Sequence, residues 1–185
     1  HTWARDHYRR RPTLPHAGTR RTSNKGPGYG GVKGMLYATI VRRRIKRTFR
    51  DINQGNVQPM LDTLADPFVY VFHGTHALGG RRTSKDAMRL WWERVFRLLP
   101  GIRFDVQEVV INGWPWNTRV AVRSLVSGDL PNGELYSNTA FQFTNVRWGR
   151  ITRIETMEDT QILEQALQVV AESGCVEALE PPING

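Results

Sequence analysis

The 185-residue sequence contains a single cysteine, Cys175, and no long hydrophobic run. One cysteine excludes an internal disulfide and favours a reducing compartment, so we expect a cytoplasmic protein. A helix that spans a membrane needs about 20 mainly apolar residues in a row, and no stretch approaches this length. The first residues are polar and arginine-rich, so we expect no secretory signal in the sequence as it stands.

Acidic residues are scarce near the N-terminus, and this explains the formal net charge of +9. Residues 1–34 contain eight Lys or Arg and one acid, Asp6, which gives a net charge of +7. The other 18 basic and 16 acidic residues leave only +2 for residues 35–185. The basic character therefore belongs to an N-terminal extension, and nucleic acid is not an expected partner of the remainder.

The extension, residues 1–34, is rich in Gly, Pro and Arg and lacks apolar periodicity. Such a composition predicts disorder, because it buries too little apolar surface to offset the entropy of ordering. The sequence begins with His1, and Met35 stands where periodicity starts. Three interpretations remain open: a segment that is not native, an inert solvated tail, or an arm that binds RNA or an anionic surface.

Residues 35–174 are predicted to form one domain, followed by a short tail over residues 175–185. Apolar residues recur every three or four positions from Tyr37 to Ile52, which predicts a first helix with a basic outer face. Two further helices are predicted near residues 57–64 and 84–99. Asp159 or Thr160 is expected to cap a last helix that ends before Gly174.

Between these helices the pattern changes to that of β-strands. Strands are predicted over residues 68–73, 102–111, 117–128, 134–147 and 151–157. Asn112-Gly113, Asn132-Gly133 and Trp148-Gly149 are expected to form the turns between the last four. This order predicts an α+β fold in which three N-terminal helices and a C-terminal helix pack on a strongly curved, mostly antiparallel sheet and enclose a pocket.

The element order resembles that of the nuclear transport factor 2-like superfamily, and its SnoaL-like and ketosteroid-isomerase-like branch in particular. Three segments carry the resemblance: INQGNVQPMLDTLADPFVYVFHG, GWPWNTRVAV and WGRITRIETMEDTQILEQAL. It covers about residues 36–174 and implies a cone-shaped fold around a pocket. The superfamily includes isomerases, cyclases, hydrolases, dehydratases and proteins that only bind, so the fold alone implies no single activity.

The family's catalytic positions transfer to this sequence only in part. Where epoxide-hydrolase-like members carry a Tyr, an Asn and two catalytic Asp, this chain has Val69, Val71, Ala121 and Thr156, and only Arg119 matches. Epoxide hydrolysis is therefore not expected, because no carboxylate would activate the water. The ketosteroid-isomerase-like phenol and base positions fall on Thr48 and Val71, although a slip of one or two residues would bring in Tyr70 or His73.

Three residues are candidate catalysts. SnoaL-like cyclases carry an acid/base Asp near the junction of the last strand and helix, where Asp159 lies, although an Asp there also serves as a helix cap. His73 ends a strand at the expected pocket mouth and has a suitable ordinary pKa, although a structural role is open. Arg119 would stabilise an oxyanion if it points inward; the outer face is the alternative.

A further set of side chains is expected to contact a ligand: Tyr70, Trp91, Arg123, Asn138, Gln142 and Thr156. The alternatives are core packing for Trp91 and a place on the outer face for Arg123. No metal and no cofactor are expected, since His73 and His76 are three residues apart with no third ligand nearby.

Together these patterns predict a homodimeric pocket protein for a small, apolar or weakly anionic ligand. It would be a cofactor-free isomerase, cyclase or dehydratase, or a binding or adaptor module without catalysis. RNA or anionic-surface binding through the extension is a further alternative.

Overall fold

A computed structural model of the protein describes residues 31–185. The disorder expected for residues 1–30 lies outside the described residues. The first helix begins at Val32, three residues before Met35, so it includes the end of the segment assigned to the extension.

The helices follow the periodicity of the sequence. They are α1 (Val32–Asn53), α2 (Gln58–Thr63), α3 (Lys85–Leu98) and α4 (Thr160–Glu172), and a short 3-10 helix covers Val176–Leu179. The Ser84 hydroxyl accepts a hydrogen bond from the Ala87 amide (3.1 Å) and caps α3. Asp159 caps α4, as its position predicts. Polar residues at both sites satisfy amides that have no partner within the helix.

A curved sheet of six strands packs against these helices. The strands are β1 (Leu64–Phe72), β2 (Gly80–Arg82), β3 (Arg103–Trp114), β4 (Asn117–Asp129), β5 (Leu135–Arg147) and β6 (Arg150–Met157). Their order is β2-β1-β6-β5-β4-β3, and every pair is antiparallel except β1 with β6. The predicted α+β fold with a mostly antiparallel sheet is confirmed.

Two parts of the sheet differ from the prediction. The three-residue strand β2 lies in a segment that reads as a glycine-rich loop, and such a short strand has no detectable alternation. Strand β3 continues to Trp114, and the turn lies at Pro115 and Trp116 instead of Asn112-Gly113. Gly113 adopts φ +105° inside the strand, where a Cβ would collide with the Asn117 carbonyl. The glycine thus serves a close approach of two strands and not the turn.

The hydrophobic core lies between the inner face of the sheet and helices α3 and α4. Its largest side chains include Phe72, Trp91, Trp92 and Tyr136, all buried. A second cluster packs α1 over β3 and β4 through Val109, Val120 and Val122. Full burial of each such side chain stabilises the fold by roughly 1.5–3 kcal/mol.

The C-terminal segment packs against the domain. Arg94 of α3 forms ion pairs with Glu177 (3.1 Å) and Glu180 (2.8 Å). Gly185 donates its amide to the Arg81 carbonyl (3.2 Å), beside strand β2. Residues 175–185, predicted as a plain tail, are therefore held across α3 and the edge of the sheet.

Candidate active site

An apolar cavity of about 220 Å³ lies between α1 and the inner face of the sheet. Helix α1, β4 and β6 supply most of its aliphatic wall: Ile40, Val41, Ile45, Val120, Val122, Ile151 and Ile154. Pockets of this kind bind small molecules through apolar contact, and a few polar groups fix the orientation. The polar groups are therefore the informative part of this cavity.

Polar side chains gather on the core side of the cavity. A smaller space of about 50 Å³ adjoins it and shares Tyr70, Trp92 and Gln142 as wall residues. Five polar side chains line this smaller space, and we call them the polar cluster: Tyr70, Tyr136, Gln142, Thr156 and Glu158. The Gln142 side-chain amide donates to the Thr156 hydroxyl at 3.3 Å. A ligand in the apolar cavity can thus present one polar end to this cluster.

Glu158 is the carboxyl group of the cluster. It follows β6 directly and accepts a hydrogen bond from the Tyr136 hydroxyl at 2.5 Å. Burial raises the pKa of Glu158, and the hydrogen bond from Tyr136 opposes this only in part. Burial and the neighbouring Glu158 carboxylate also raise the pKa of Tyr136. A carboxyl group with a raised pKa is a stronger base when ionised and is suited to accept and return a proton near neutral pH.

Asn138 holds the junction at which Glu158 lies. Its side-chain nitrogen donates to the Tyr136 hydroxyl (3.1 Å) and to the Asp159 carbonyl (2.9 Å). Its oxygen accepts from the amides of Thr139 (2.8 Å) and Asp159 (3.3 Å). Asn138 thereby fixes both the start of α4 and the phenol that contacts Glu158, so its role is positioning.

Tyr70 lies beside a buried cation. Its ring centroid is 5.1 Å from that of Trp91, and the Arg82 guanidinium carbon lies 5.5 Å and 4.9 Å from the two rings. Arg82 has no exposed surface, and burial lowers its pKa to about 10. Burial raises the pKa of Tyr70, so this hydroxyl remains a hydrogen-bond donor at neutral pH. The Trp91 ring nitrogen donates to the Leu78 carbonyl (2.8 Å).

Five of the ligand contacts predicted from sequence lie at or next to this site. Tyr70, Gln142 and Thr156 belong to the polar cluster, and Trp91 lines the same small space. Asn138 lies behind the cluster. Contact between these five residues and a ligand stays a prediction.

The inward placement of Arg119 and Arg123 is wrong. Cross-strand partners share a face of a sheet, and Gln142 pairs with Val122, so the even-numbered residues of β4 face the cavity. Arg119 is exposed on the outer face, and Arg123 lies 3.7 Å from Glu108 there. A displacement of one residue moves every side chain of a strand to the opposite face of the sheet. The position of Arg119 that was transferred from the resemblance carries such a displacement.

His73 does not lie at the cavity mouth, contrary to expectation. Its ring Nε2 lies 2.9 Å from Glu155 on the outer face of the sheet, with 45% of the side chain exposed. The hydrogen bond from His73 lowers the pKa of Glu155. The observed contact is thus a surface hydrogen bond at the end of β1.

Asp159 is exposed, and its carboxylate accepts the amides of Gln161 (3.0 Å) and Ile162 (3.3 Å). It therefore acts as the helix cap that the sequence offered as its alternative role, and Glu158, one residue earlier, occupies the cavity side. The sequence contained a signal for the inward position of Glu158. Residues two apart in a strand share a face, so an inward Thr156 implies an inward residue 158.

The raised pKa of Glu158 has a measurable effect on stability. A carboxyl group with a raised pKa holds its proton more tightly in the folded state than in the unfolded state. Its contribution to stability is complete below the unfolded pKa, about 4.5, and is lost as the pH rises through the folded pKa. We therefore expect Glu158→Gln to raise the free energy of unfolding relative to the native protein above pH 4.5. Urea denaturation from pH 4 to 8 measures the difference; curves that stay parallel throughout would contradict it.

The described residues show neither a membrane span nor a metal cluster. Among residues 31–185, no helix is long and apolar enough to cross a bilayer. Within the same range, no three His, Cys, Asp or Glu side chains come together as metal ligands would.

Known structures share this fold. PrhC from Penicillium brasilianum aligns with a TM-score of 0.61 and 13% identity, covering 72% of this chain and 89% of PrhC. TerC, crystallised with polyporic acid, aligns with a TM-score of 0.59 and 18% identity over 67% and 95% of the two chains. IdmH from Streptomyces antibioticus, a suggested polyketide cyclase, aligns with a TM-score of 0.55 and 21% identity over 69% and 95%.

The sequence comparison agrees with the fold. No curated protein matches the chain. Residues 45–154, which are more than half of the chain, match the SnoaL-like domain. The protein therefore belongs to the SnoaL-like domain family, within the nuclear transport factor 2-like superfamily.

Proposed function

We propose that this protein is a cofactor-free acid/base enzyme that isomerises, cyclises or dehydrates a small, largely apolar molecule. One observation carries the proposal: Glu158, with a raised pKa, lines the small space of about 50 Å³ that shares Tyr70, Trp92 and Gln142 with the wall of the apolar cavity. A base in such a position is less solvated than one in water and needs less reorganisation when it accepts a proton.

The polar cluster supports proton transfer next to a carbonyl group. Ionised Glu158 would take a proton from the carbon that lies between the substrate carbonyl and a neighbouring C=C bond. The electron pair of that C–H bond would form a new C=C bond to the carbonyl carbon, and the π pair of the carbonyl would move onto its oxygen. Gln142 and Tyr70 carry N–H and O–H donors that can stabilise this enolate oxygen. The protonated Glu158 would then return the proton to the far carbon of the original C=C bond while the pair on the enolate oxygen re-forms the carbonyl, which completes an isomerisation with no other reactant.

The ligand is proposed to be apolar with one weakly acidic or carbonyl end, because the cavity wall is mainly aliphatic and the polar cluster lies at the small space that adjoins it. Polyporic acid, present in the TerC crystals, is a suitable first probe. We expect saturable binding, measured by calorimetry, that Thr48→Trp blocks because Thr48 lines the cavity. Arg47→Trp, on the exposed side of α1, is the matched control. Equal binding by both variants would place the ligand elsewhere.

A binding or adaptor module without catalysis is the second candidate. Its support is that one oxygen of Glu158 already accepts the Tyr136 hydrogen bond, an arrangement that can also be purely structural. Ligands that bind in the cavity and are never converted would favour this function.

A cytoplasmic location is proposed from the single cysteine. Cys175 is a free thiol, half-buried after α4. A chain that uses no disulfide for stability fits a reducing compartment.

We also propose that two copies associate through the outer face of the sheet. Arg123, Phe141 and Met157 lie side by side there, and Phe143 is 51% exposed on the same face. Phe143→Glu should weaken the dimer by roughly 30-fold or more, because a central aromatic contact is replaced by a charge. Sedimentation velocity over a concentration series measures this. Leu90→Glu, at an equally exposed position on α3, should leave it intact; a native protein that is monomeric throughout refutes the dimer.

A further inference from the structure

Six large apolar side chains are exposed on three segments that each also contribute a residue to the cavity wall. Helix α1 and the two turns β3–β4 and β5–β6 supply them, and we call them the tryptophan rim: Met35, Leu36, Ile40, Trp114, Trp116 and Trp148. Trp148 is 73% exposed and Met35 is 69% exposed. Soluble monomers rarely expose so many large apolar side chains together unless the surface binds something.

The rim is held in place by contacts between its three segments. The Tyr37 hydroxyl donates to the Thr118 hydroxyl (2.5 Å), which in turn donates to the Trp114 carbonyl (2.8 Å). The Trp148 amide donates to the Pro115 carbonyl (2.5 Å), so the two turns are joined. These contacts tie α1 and both turns into one surface.

The backbone at Trp148 is unusual. It adopts φ +50°, a region that a bulky residue seldom occupies. The ring is nevertheless exposed, and its centroid lies 6.1 Å from that of Trp116. A strained turn that exposes a tryptophan to solvent lowers the stability of the fold. Backbone strain of this kind is often found at functional sites.

The rim borders the cavity directly. Ile40 is a member of the rim and also lines the cavity. Pro115 and Gly149, which line the cavity as well, belong to the same two turns as Trp116 and Trp148. A ligand that reaches the cavity from this end passes between rim side chains.

The segments that carry the rim are basic throughout. Residues 31–50 contain seven Lys or Arg, residues 112–119 contain one, residues 144–150 contain two, and none of the three segments contains Asp or Glu. The Arg44 side chain itself lines the cavity. The protein thus presents apolar side chains bordered by basic ones. This arrangement complements a partner surface whose anionic groups lie above an apolar interior.

We infer that the tryptophan rim docks the protein on an anionic lipid bilayer, from which an apolar ligand enters the cavity. Tryptophan favours the bilayer interface, aliphatic side chains enter the acyl region, and Lys and Arg contact anionic headgroups. Docking on the bilayer does not depend on Glu158 chemistry, whereas entry of an apolar ligand from it rests on the proposed function.

Other occupants fit the rim less well. Two copies meeting rim to rim would bring their basic segments together, which is repulsive. Single-stranded nucleic acid binds by stacking bases on aromatic faces, but Trp114 and Trp116 stack on each other at an interplanar angle of 8°. Met35, Leu36 and Ile40 are aliphatic and offer bases no stacking surface. A bilayer offers contacts to the aliphatic and the tryptophan side chains of the rim alike.

Flotation of the 185-residue protein with vesicles tests the inference. The native protein should bind vesicles of phosphatidylcholine with phosphatidylserine, and bind phosphatidylcholine alone much less. Trp116→Ser with Trp148→Ser should weaken binding by about tenfold or more, since two interfacial anchors are lost. Leu90→Ser with Leu179→Ser removes two exposed leucines elsewhere and should bind as the native protein does.

A second readout locates the contact. Lipids brominated on the acyl chain should quench the fluorescence of the native protein and quench the double tryptophan variant less. The inference is overturned if the native protein does not float, or if the double tryptophan variant floats equally well. It is also overturned if the same variant loses binding to polyuridylate while its vesicle binding is unchanged.

Discussion

Replacing Glu158 by glutamine is expected to abolish proton abstraction while the fold is retained. Glutamine keeps the size of the side chain and can still accept the hydrogen bond from Tyr136 (2.5 Å), but it cannot take up a proton. Loss of a general base typically reduces the rate by about 10²–10⁴-fold. A chromogenic benzisoxazole, whose N–O bond breaks when a base removes the C–H proton of its isoxazole ring, reports proton abstraction by a carboxylate base in an apolar pocket. The initial rate at pH 7 is the measurement.

Asp159→Asn provides the matched control, because it neutralises the next carboxylate along the chain. Asparagine is an N-cap of similar quality, so the bonds to the amides of Gln161 and Ile162 can be kept. We expect this variant to retain the native rate. A rate that falls with Asp159→Asn and persists with Glu158→Gln would return the catalytic role to Asp159. A native protein with no rate above the buffer would leave the binding module as the function.

Replacing Arg94 by alanine is expected to destabilise the domain by about 3 kcal/mol. Only 8% of the Arg94 side chain is exposed, and it pairs with Glu177 and Glu180. It also donates to the carbonyls of Ala77 (3.2 Å) and Pro181 (2.9 Å). The variant leaves these acceptors without their donor and releases the C-terminal segment. Thermal and urea unfolding should show the loss, as a fall in Tm of roughly 6–12 °C.

Arg97→Ala is the control, since Arg97 binds the same Glu177 (2.8 Å) from the surface, with 54% of its side chain exposed. An exposed ion pair contributes about 1 kcal/mol or less, so a small loss is expected. Similar losses in the two variants would show that burial of Arg94 adds nothing and that the C-terminal segment is not held as described.

The elements of the fold could be predicted because local spacing determines them. The period of α1, the Asn132-Gly133 hairpin turn and the cap at Asp159 each depend on a few neighbouring residues. The failures occurred where a distant part of the chain decides the outcome. Gly113 appeared to mark a turn, but its neighbour on β4 shows that it allows two strands to approach closely.

The site was harder to predict than the fold, since catalysis depends on which face each side chain occupies. Tyr70, Gln142 and Thr156 were placed inward, as observed, but Arg119 and His73 lie on the outer face. Strand β4 contained a signal for its two faces, since Val120, Val122 and Val126 alternate with positions that include Arg119 and Arg123. A position transferred with a displacement of one residue overrides this signal and reverses the faces.

By itself, the sequence determined the helices, most of the strands and the α+β class, because these follow from periodicity, turn chemistry and composition. The family followed from the resemblance of three segments to known members. Only the tertiary structure decided that Glu158 and not Asp159 lies at the polar cluster, that Arg94 holds the C-terminal segment, and that Trp148 lies beside the distant Trp116. The reason is physical. Burial and cross-strand register arise from contacts between residues far apart in the chain, and these contacts set both the pKa of a carboxyl group and the side of a sheet on which it lies.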